Sequence, residues 1–341
     1  MKKALKAQTK HDLEGWFAER RQPRYRVGQL LEWVYRHRVD DFEHMTNLPR
    51  DLRGEVAGAY ALHSVWPVTA ESEAAGTRKT LYGLGDGQAV ETVWIPAPGR
   101  RTVCVSTQVG CPVGCAFCAS GQDGFVRNLT SDEIVDQVVR EAAREEAPPS
   151  RLVVMGMGEP LLNYDNLIRA LDILNAPWGM GIGARRITVS TCGIVPGIRR
   201  LSKEGKQWNL SVSLHAPDRE TRALLVPTET RYALEEVLEA CHLYRQRTGR
   251  QVTFEYTLIR DVNDSPRQAL QLASICRELD AKVNLIPLNP VEGAPYQRPD
   301  EERIERFVAE VEKGRGKITV RREKGGAIQA ACGQLRLRRR P

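Results

Sequence analysis

The sequence predicts an α/β fold: a partial TIM-like barrel of about six βα units, (βα)6, preceded by a small helical segment and a short β extension. Three observations predict it. From about residue 102 onward, short β-branched runs alternate with amphipathic stretches. Those runs, such as "RLVVMG", "RRITVST" and "KVNLIPL", are nearly continuous in apolar residues, as strands covered on both faces of a parallel sheet are. Glycine-rich or polar segments follow their C-terminal ends, where barrels of this kind carry their chemistry.

Residues 1–75 read as the helical segment. "VGQLLEWVYRH" places Leu30, Leu31, Val34 and Tyr35 on one face, and "TNLPRDLRGEVAGAYAL" supplies a second amphipathic stretch. Residues 76–101 read as the β extension, in which Gly-Asp-Gly and Pro-Ala-Pro-Gly break the β-rich runs. Residues 102–341 read as the barrel core. Its first strand leads into a cysteine loop, and the following helix opens with Thr130 and Glu133 at capping-box spacing. Helices are then expected near 165–175, 196–204, 218–247, 265–279 and 300–313, each after an apolar strand, with "KITVR" as the last strand. No fixed-period repeat and no low-complexity segment interrupts this order.

Composition narrows the class. The 341 residues are 41% hydrophobic and 27% charged, ordinary values for a globular protein with a real core. The basic start "MKKALKAQTK" has no apolar run behind it, and no apolar run approaches the roughly 18 residues of a membrane span, so a cytoplasmic, membrane-free protein is expected. The net charge of +7 is unevenly spread: residues 313–341 hold ten Lys or Arg against one acid, Glu323, which leaves the rest of the chain at −2. Such a tail is either a solvated end or a polyanion contact.

Eight cysteines, four of them between residues 104 and 118, do not resemble a disulfide framework and point to metal or thiol chemistry. In "GCPVGCAFCASG", Cys111, Cys115 and Cys118 stand as C-x3-C-x2-C, and three thiolates leave one corner of a metal site open. With Cys104 included, the pattern also suits a closed four-cysteine zinc or iron-sulfur site, so both readings stand at this point. "MGMGEP" follows the second barrel strand, with Gly156 and Gly158 allowing close backbone approach to a ligand. Ser190, the Ser213-Leu214-His215 run and Asn289 fall at further strand ends; a lone histidine there suits binding better than proton transfer. Cys332 lies among Gly325, Gly326 and Gly333, which suggests an exposed, mobile loop, unlike Cys241 and Cys276 on helical patterns.

The cysteine loop resembles that of the radical S-adenosylmethionine enzymes. Together, "CVSTQVGCPVGCAFCASGQDGFVRNL", "GMGEPLLN", "SLHAP", "NLIPLNPVEGAPY" and "AACGQL" are similar to the RlmN/Cfr family of radical RNA methyltransferases, over nearly the whole chain. The resemblance implies a radical SAM barrel in which Cys111, Cys115 and Cys118 hold a [4Fe-4S] cluster, its fourth iron binding S-adenosylmethionine. It implies that Gly158, Glu159, Ser190, Ser213, Leu214, His215 and Asn289 contact that cosubstrate, two molecules of which are used per turnover. One would methylate Cys332, and the second would yield a 5'-deoxyadenosyl radical that activates the S-methyl group for addition to adenine. Cys104 would then release the product through a transient disulfide with Cys332, and Glu91 would accept the ring proton.

The implied substrate is an adenosine in the peptidyl-transferase region of 23S rRNA, methylated at C2 by RlmN enzymes and at C8 by Cfr enzymes. "LIPLNPVEGAPY" and the N-terminal module favour C2, and with it adenosine 37 of certain tRNAs. An electron donor such as flavodoxin and a monomeric state complete the expectation. RNA is expected on the basic tail, Arg321 and Arg322 included, and on the N-terminal module. Cys192 in "STCG" departs from the serine expected there. A non-catalytic zinc or RNA-binding protein is the reading of another class, separable by cleavage of S-adenosylmethionine.

Overall fold

The computed structural model describes residues 2–321 and 325–336. Its centre is a ten-stranded mixed sheet whose strands lie side by side in chain order. They are β1 Val65–Ser72, β2 Arg78–Leu84, β3 Ala89–Ala97, β4 Arg100–Cys104, β5 Arg151–Val154, β6 Ile187–Thr191, β7 Asn209–Ser213, β8 Thr253–Leu258, β9 Lys282–Pro287 and β10 Lys317–Val320. The first three junctions are antiparallel. From β4 to β10 every junction is parallel.

Parallel neighbours need crossovers, and helices supply them. Ahead of the barrel come α1 Lys10–Glu19, α2 Tyr25–Glu32 and α3 Arg50–Ala59. The crossovers use α4 Ser131–Ala143, α5 Tyr164–Asn175, α6 Val195–Leu201, the pair α7 Arg219–Leu225 and α8 Leu234–Thr248, α9 Pro266–Leu279 and α10 Glu301–Lys313. Six βα units and a closing strand therefore follow the expected order. Among the described residues β1 and β10 are edges that do not pair with each other, so the barrel stays open.

Local chemistry sets the helix starts. The Thr130 N–H donates to Glu133 at 2.9 Å, which satisfies a backbone donor that opening α4 would otherwise orphan. Asp300 does the same for α10, accepting from the Arg303 N–H at 2.9 Å. At the other end, α8 stops at Gly249, whose φ of +67° is the left-handed conformation that glycine takes without penalty. The strands between are buried as their composition demands: Val189, Leu210, Val212, Phe254 and Leu285 are fully enclosed.

One strand differs from the sequence reading. β1 falls inside residues 1–75, expected to be helical, yet it pairs antiparallel with β2 through a bulge at Pro67. It is an edge strand with mostly exposed side chains, so no apolar alternation marks it; backbone bonds to β2 define it.

The N-terminal helices dock on α4 and α5. Lys6 forms an ion pair with Asp136 at 2.7 Å, both side chains being essentially out of solvent. The Ser64 N–H donates to the same carboxylate at 2.6 Å, and Arg169 of α5 reaches the Ala7 carbonyl at 2.7 Å. Burial opposes charge on Asp136, but Lys6 and His63 outweigh it and hold the carboxyl well below the usual range.

Candidate active site

The cysteine loop is gripped at its base by a short antiparallel pair, Gln108–Gly110 with Phe125–Asn128. At Gly110, φ is +73° and a Cβ would lie 2.0 Å from the Gly124 carbonyl oxygen, so only glycine fits. The Cys111 N–H donates to that same carbonyl at 2.9 Å, and the Ala116 N–H reaches the end of α7 at Leu225, 3.1 Å away. Cys111, Cys115 and Cys118 line one wall of a cavity of about 150 Å³.

These thiols sit in a demanding environment. Burial pushes the Cys111 thiol up to about 12 and raises Cys115 and Cys118 as well, with neighbouring cysteines adding to the effect. Iron would reverse that preference, because a coordinated thiol binds as thiolate. Cys104 lines only the larger chamber and not the cavity that the three loop cysteines share. Three half-buried thiols around a cavity, with a cosubstrate pocket on the facing wall, fit a cluster with one open corner.

That facing wall contains Gly158, Glu159, Ser190, Ser213 and His215. Gly158 has φ +98°, and a Cβ there would come within 2.6 Å of the Gln108 side chain, so the turn packs directly on the cysteine loop's base. Glu159 is buried, which raises its pKa, and its carboxylate accepts the N–H groups of Cys192 at 2.7 Å and Leu161 at 3.0 Å. His215 accepts the Thr257 N–H on Nδ1 at 2.9 Å, which leaves the proton on Nε2. Burial, with the Arg222 charge, pulls its pKa down to about 3, so the ring is neutral and serves as a donor. Leu214 lines neither cavity; its N–H donates to the Glu255 carbonyl at 3.0 Å.

A second, larger chamber of about 990 Å³ fills the barrel interior and shares Cys118, Gly156, Glu255, Arg321 and Cys332 with the first. Cys104, at the end of β4, and Cys332 both line it. Burial first, then the neighbouring Cys332, pushes the Cys104 thiol up to about 12, while Arg321 acts in the opposite direction. All eight cysteines are free thiols.

The loop bearing Cys332 is tied down, contrary to the mobile segment expected from its glycines. Asn289 donates to the Cys332 carbonyl at 3.0 Å, Ala119 to Gly333 at 2.8 Å, and Ser120 to Leu335 at 2.6 Å. Cys332 is half-buried as a result. Its neighbour Arg336 donates its N–H to Glu91 at 2.9 Å. Glu91 is enclosed on β3, 3.5 Å from the buried Lys79, and lines neither cavity.

The structure bears on part of the expectation for the basic tail. Arg321 points into the barrel and lines both cavities, rather than lying on the outer surface. Arg322 and the remaining tail arginines from residue 338 on lie outside the described residues. Sequence reasoning also passed over Glu255, a buried carboxylate that accepts from Ser211 at 2.8 Å and Asn284 at 2.7 Å in the middle of the chamber. The signal was present: an acid inside the apolar run "VTFEYTLI" needs buried partners.

An open parallel barrel with a three-cysteine loop after its first strand defines a radical S-adenosylmethionine enzyme, and residues 105–273 match the Radical SAM superfamily. Residues 4–61 match the ribosomal RNA large subunit methyltransferase N-terminal domain. The chain is 49% identical over 322 residues to the probable dual-specificity RNA methyltransferase RlmN of Symbiobacterium thermophilum, covering 93% of this chain and 86% of the relative. It is 45% identical to the probable dual-specificity RNA methyltransferase RlmN 3 of Opitutus terrae, covering 99% and 95%. The crystal structure of a radical SAM methyltransferase from Sphaerobacter thermophilus superposes with a TM-score of 0.95 at 48% identity, covering 98% of this chain and 99% of that one. The chain belongs to the RlmN family of RNA methyltransferases. Its cofactors are accordingly a [4Fe-4S] cluster and S-adenosylmethionine.

Proposed function

We propose that this enzyme methylates C2 of an adenosine in the peptidyl-transferase region of 23S rRNA, and adenosine 37 of certain tRNAs, with Cys332 as methyl carrier. The observation that carries the reading is the single chamber lined by both Cys104 and Cys332 and continuous with the three-thiol cavity. The dual specificity in the relatives' names supports the tRNA part.

Cys111, Cys115 and Cys118 would hold the cluster, and Gly158, Glu159, Ser190, Ser213, His215 and Asn289 would surround the cosubstrate. When bound, these groups supply a transferable methyl group and a hydrogen-abstracting radical. The chain's own residues do the rest. Cys332 carries the methyl group as a thioether and delivers its carbon to the base, joining protein to RNA. Glu91 takes the proton from the ring carbon, which requires Arg336 to release the carboxylate it now holds; the one electron left on the adduct needs an acceptor, which the bound cluster would supply. The Cys104 thiolate attacks the Cys332 sulfur, forming an S–S bond as the C–S bond breaks. The electron pair of that bond stays with the methylene carbon, which takes up a proton to become the new methyl group, and the disulfide must be reduced before another cycle.

Mass spectrometry of nucleosides after anaerobic reaction of reconstituted enzyme with 23S rRNA tests the reading. 2-Methyladenosine is expected; 8-methyladenosine, or zinc in place of about four irons per chain, would overturn it.

A further inference from the structure

We infer that RNA reaches the carrier cysteine through the N-terminal mouth of the barrel, where a rim of cations holds its backbone phosphates. Arg100 opens β4, Arg151 opens β5, Arg185 and Arg186 precede β6, Arg250 precedes β8, and Lys282 opens β9. All six line the larger chamber at the end away from the cysteine loop. The sheet register makes this one continuous rim, since Thr102 pairs with Arg151 and Thr253 with Lys282. Among the residues lining that chamber Glu255 is the one carboxylate.

What sets these cations apart is that they gather around one opening without carboxylate partners, whereas other enclosed arginines meet carboxylates: Arg78 with Glu141 at 2.7 Å, Arg222 with Glu229 at 2.5 Å. Arg100, Arg151, Arg185, Arg186 and Lys282 make no side-chain hydrogen bond or ion pair among the described residues. Arg250 is steadied by Asn209, and its Nε is buried without a partner. Like charges left unpaired around one opening repel one another, and a polyanion relieves that repulsion. Guanidinium forks match phosphate oxygens in pairs, and cations distributed along a rim follow a phosphodiester chain better than a single phosphate.

Geometry adds a direction. The cosubstrate pocket and the cysteine loop occupy the C-terminal side of the barrel, and the tied-down carrier loop lies between them and the chamber. The N-terminal mouth gives a splayed-out base a route to Cys332 while its flanking phosphates stay on the rim.

The inference rests on RNA being the substrate. The test is a salt titration of binding between the reconstituted holoenzyme and a labelled stem-loop carrying the 23S target adenosine. The R185Q/R186Q and R100Q/R151Q variants are compared with wild type and with R199Q/R200Q, which removes two exposed, paired arginines on the outer helix α6. Each rim variant is expected to bind at least tenfold more weakly at low salt, with a slope of log affinity against log salt flatter by about 1.4–1.8 for two lost phosphate contacts. S-methylation of Cys332, read by mass in the absence of RNA, is expected to stay at the wild-type level and so reports an intact fold. Rim variants with wild-type affinity and slope, or an equal loss in R199Q/R200Q, would overturn the rim. A wild-type enzyme that neither binds nor methylates RNA would instead overturn the substrate reading itself.

Discussion

At the residue scale, His215 shows how burial decides a role. Its folded pKa of about 3 lies below the ordinary value of 6.5. The unfolded chain therefore takes up a proton first as pH falls, and stability is lost from about pH 6.5 downward until the folded ring also protonates. By pH 5 the loss is about 2 kcal/mol, and His215→Asn is expected to remove that share of the acid sensitivity in urea titrations. Cys104 is perturbed in the opposite direction. With its thiol pushed up to about 12, the thiolate fraction rises about tenfold per pH unit across the assay range, and release of the covalent RNA adduct should rise with it. Cys104→Ala should leave that adduct intact on a denaturing gel; turnover at the wild-type rate would exclude Cys104 as the resolving thiol.

At the element scale, the cysteine loop depends on close packing between the glycines of neighbouring turns. A methyl group at Gly110 would collide with the Gly124 carbonyl, and one at Gly121 would fall 2.8 Å from the Gly114 Cα. Gly110→Ala is expected to lower both the melting temperature and the iron retained after reconstitution, with backbone strain of about 1–3 kcal/mol behind the change. A variant with full iron content and unchanged melting would show that the loop adapts. The spacing of the cysteines was legible in the sequence, but the contact between glycines far apart in the turn was not, because both hands of the hairpin must fold before it exists.

At the scale of the whole molecule, the ion pair between Lys6 and Asp136 joins the N-terminal helices to the barrel. Asp136→Ala leaves an ammonium buried without its partner and is expected to destabilise the fold by about 3–5 kcal/mol in chemical unfolding, whereas a Lys6→Met, Asp136→Leu pair should recover much of that loss. If the single variant unfolds at the wild-type midpoint, the Lys6–Asp136 pair does not hold the module, and its other contacts, such as Arg169 with the Ala7 carbonyl, suffice. No sequence pattern announced this pair, since a lysine in a basic N-terminus and an acid on a helix surface pattern read as solvated charges until packing encloses both.

The order of βα units, the capping box of α4 and the three-thiol loop were legible in the sequence, because periodicity, capping spacing and ligand spacing are properties of neighbouring residues. Ser190, Ser213, His215 and Asn289 could be assigned to strand ends for the same reason. Only the tertiary structure decided that Arg321 turns inward, that Glu255 stands in the chamber, that the Cys332 loop is fastened, and that unpaired cations ring the opposite mouth. Each of these depends on which distant strands become neighbours, and the free energy of a charge is set by what surrounds it in space.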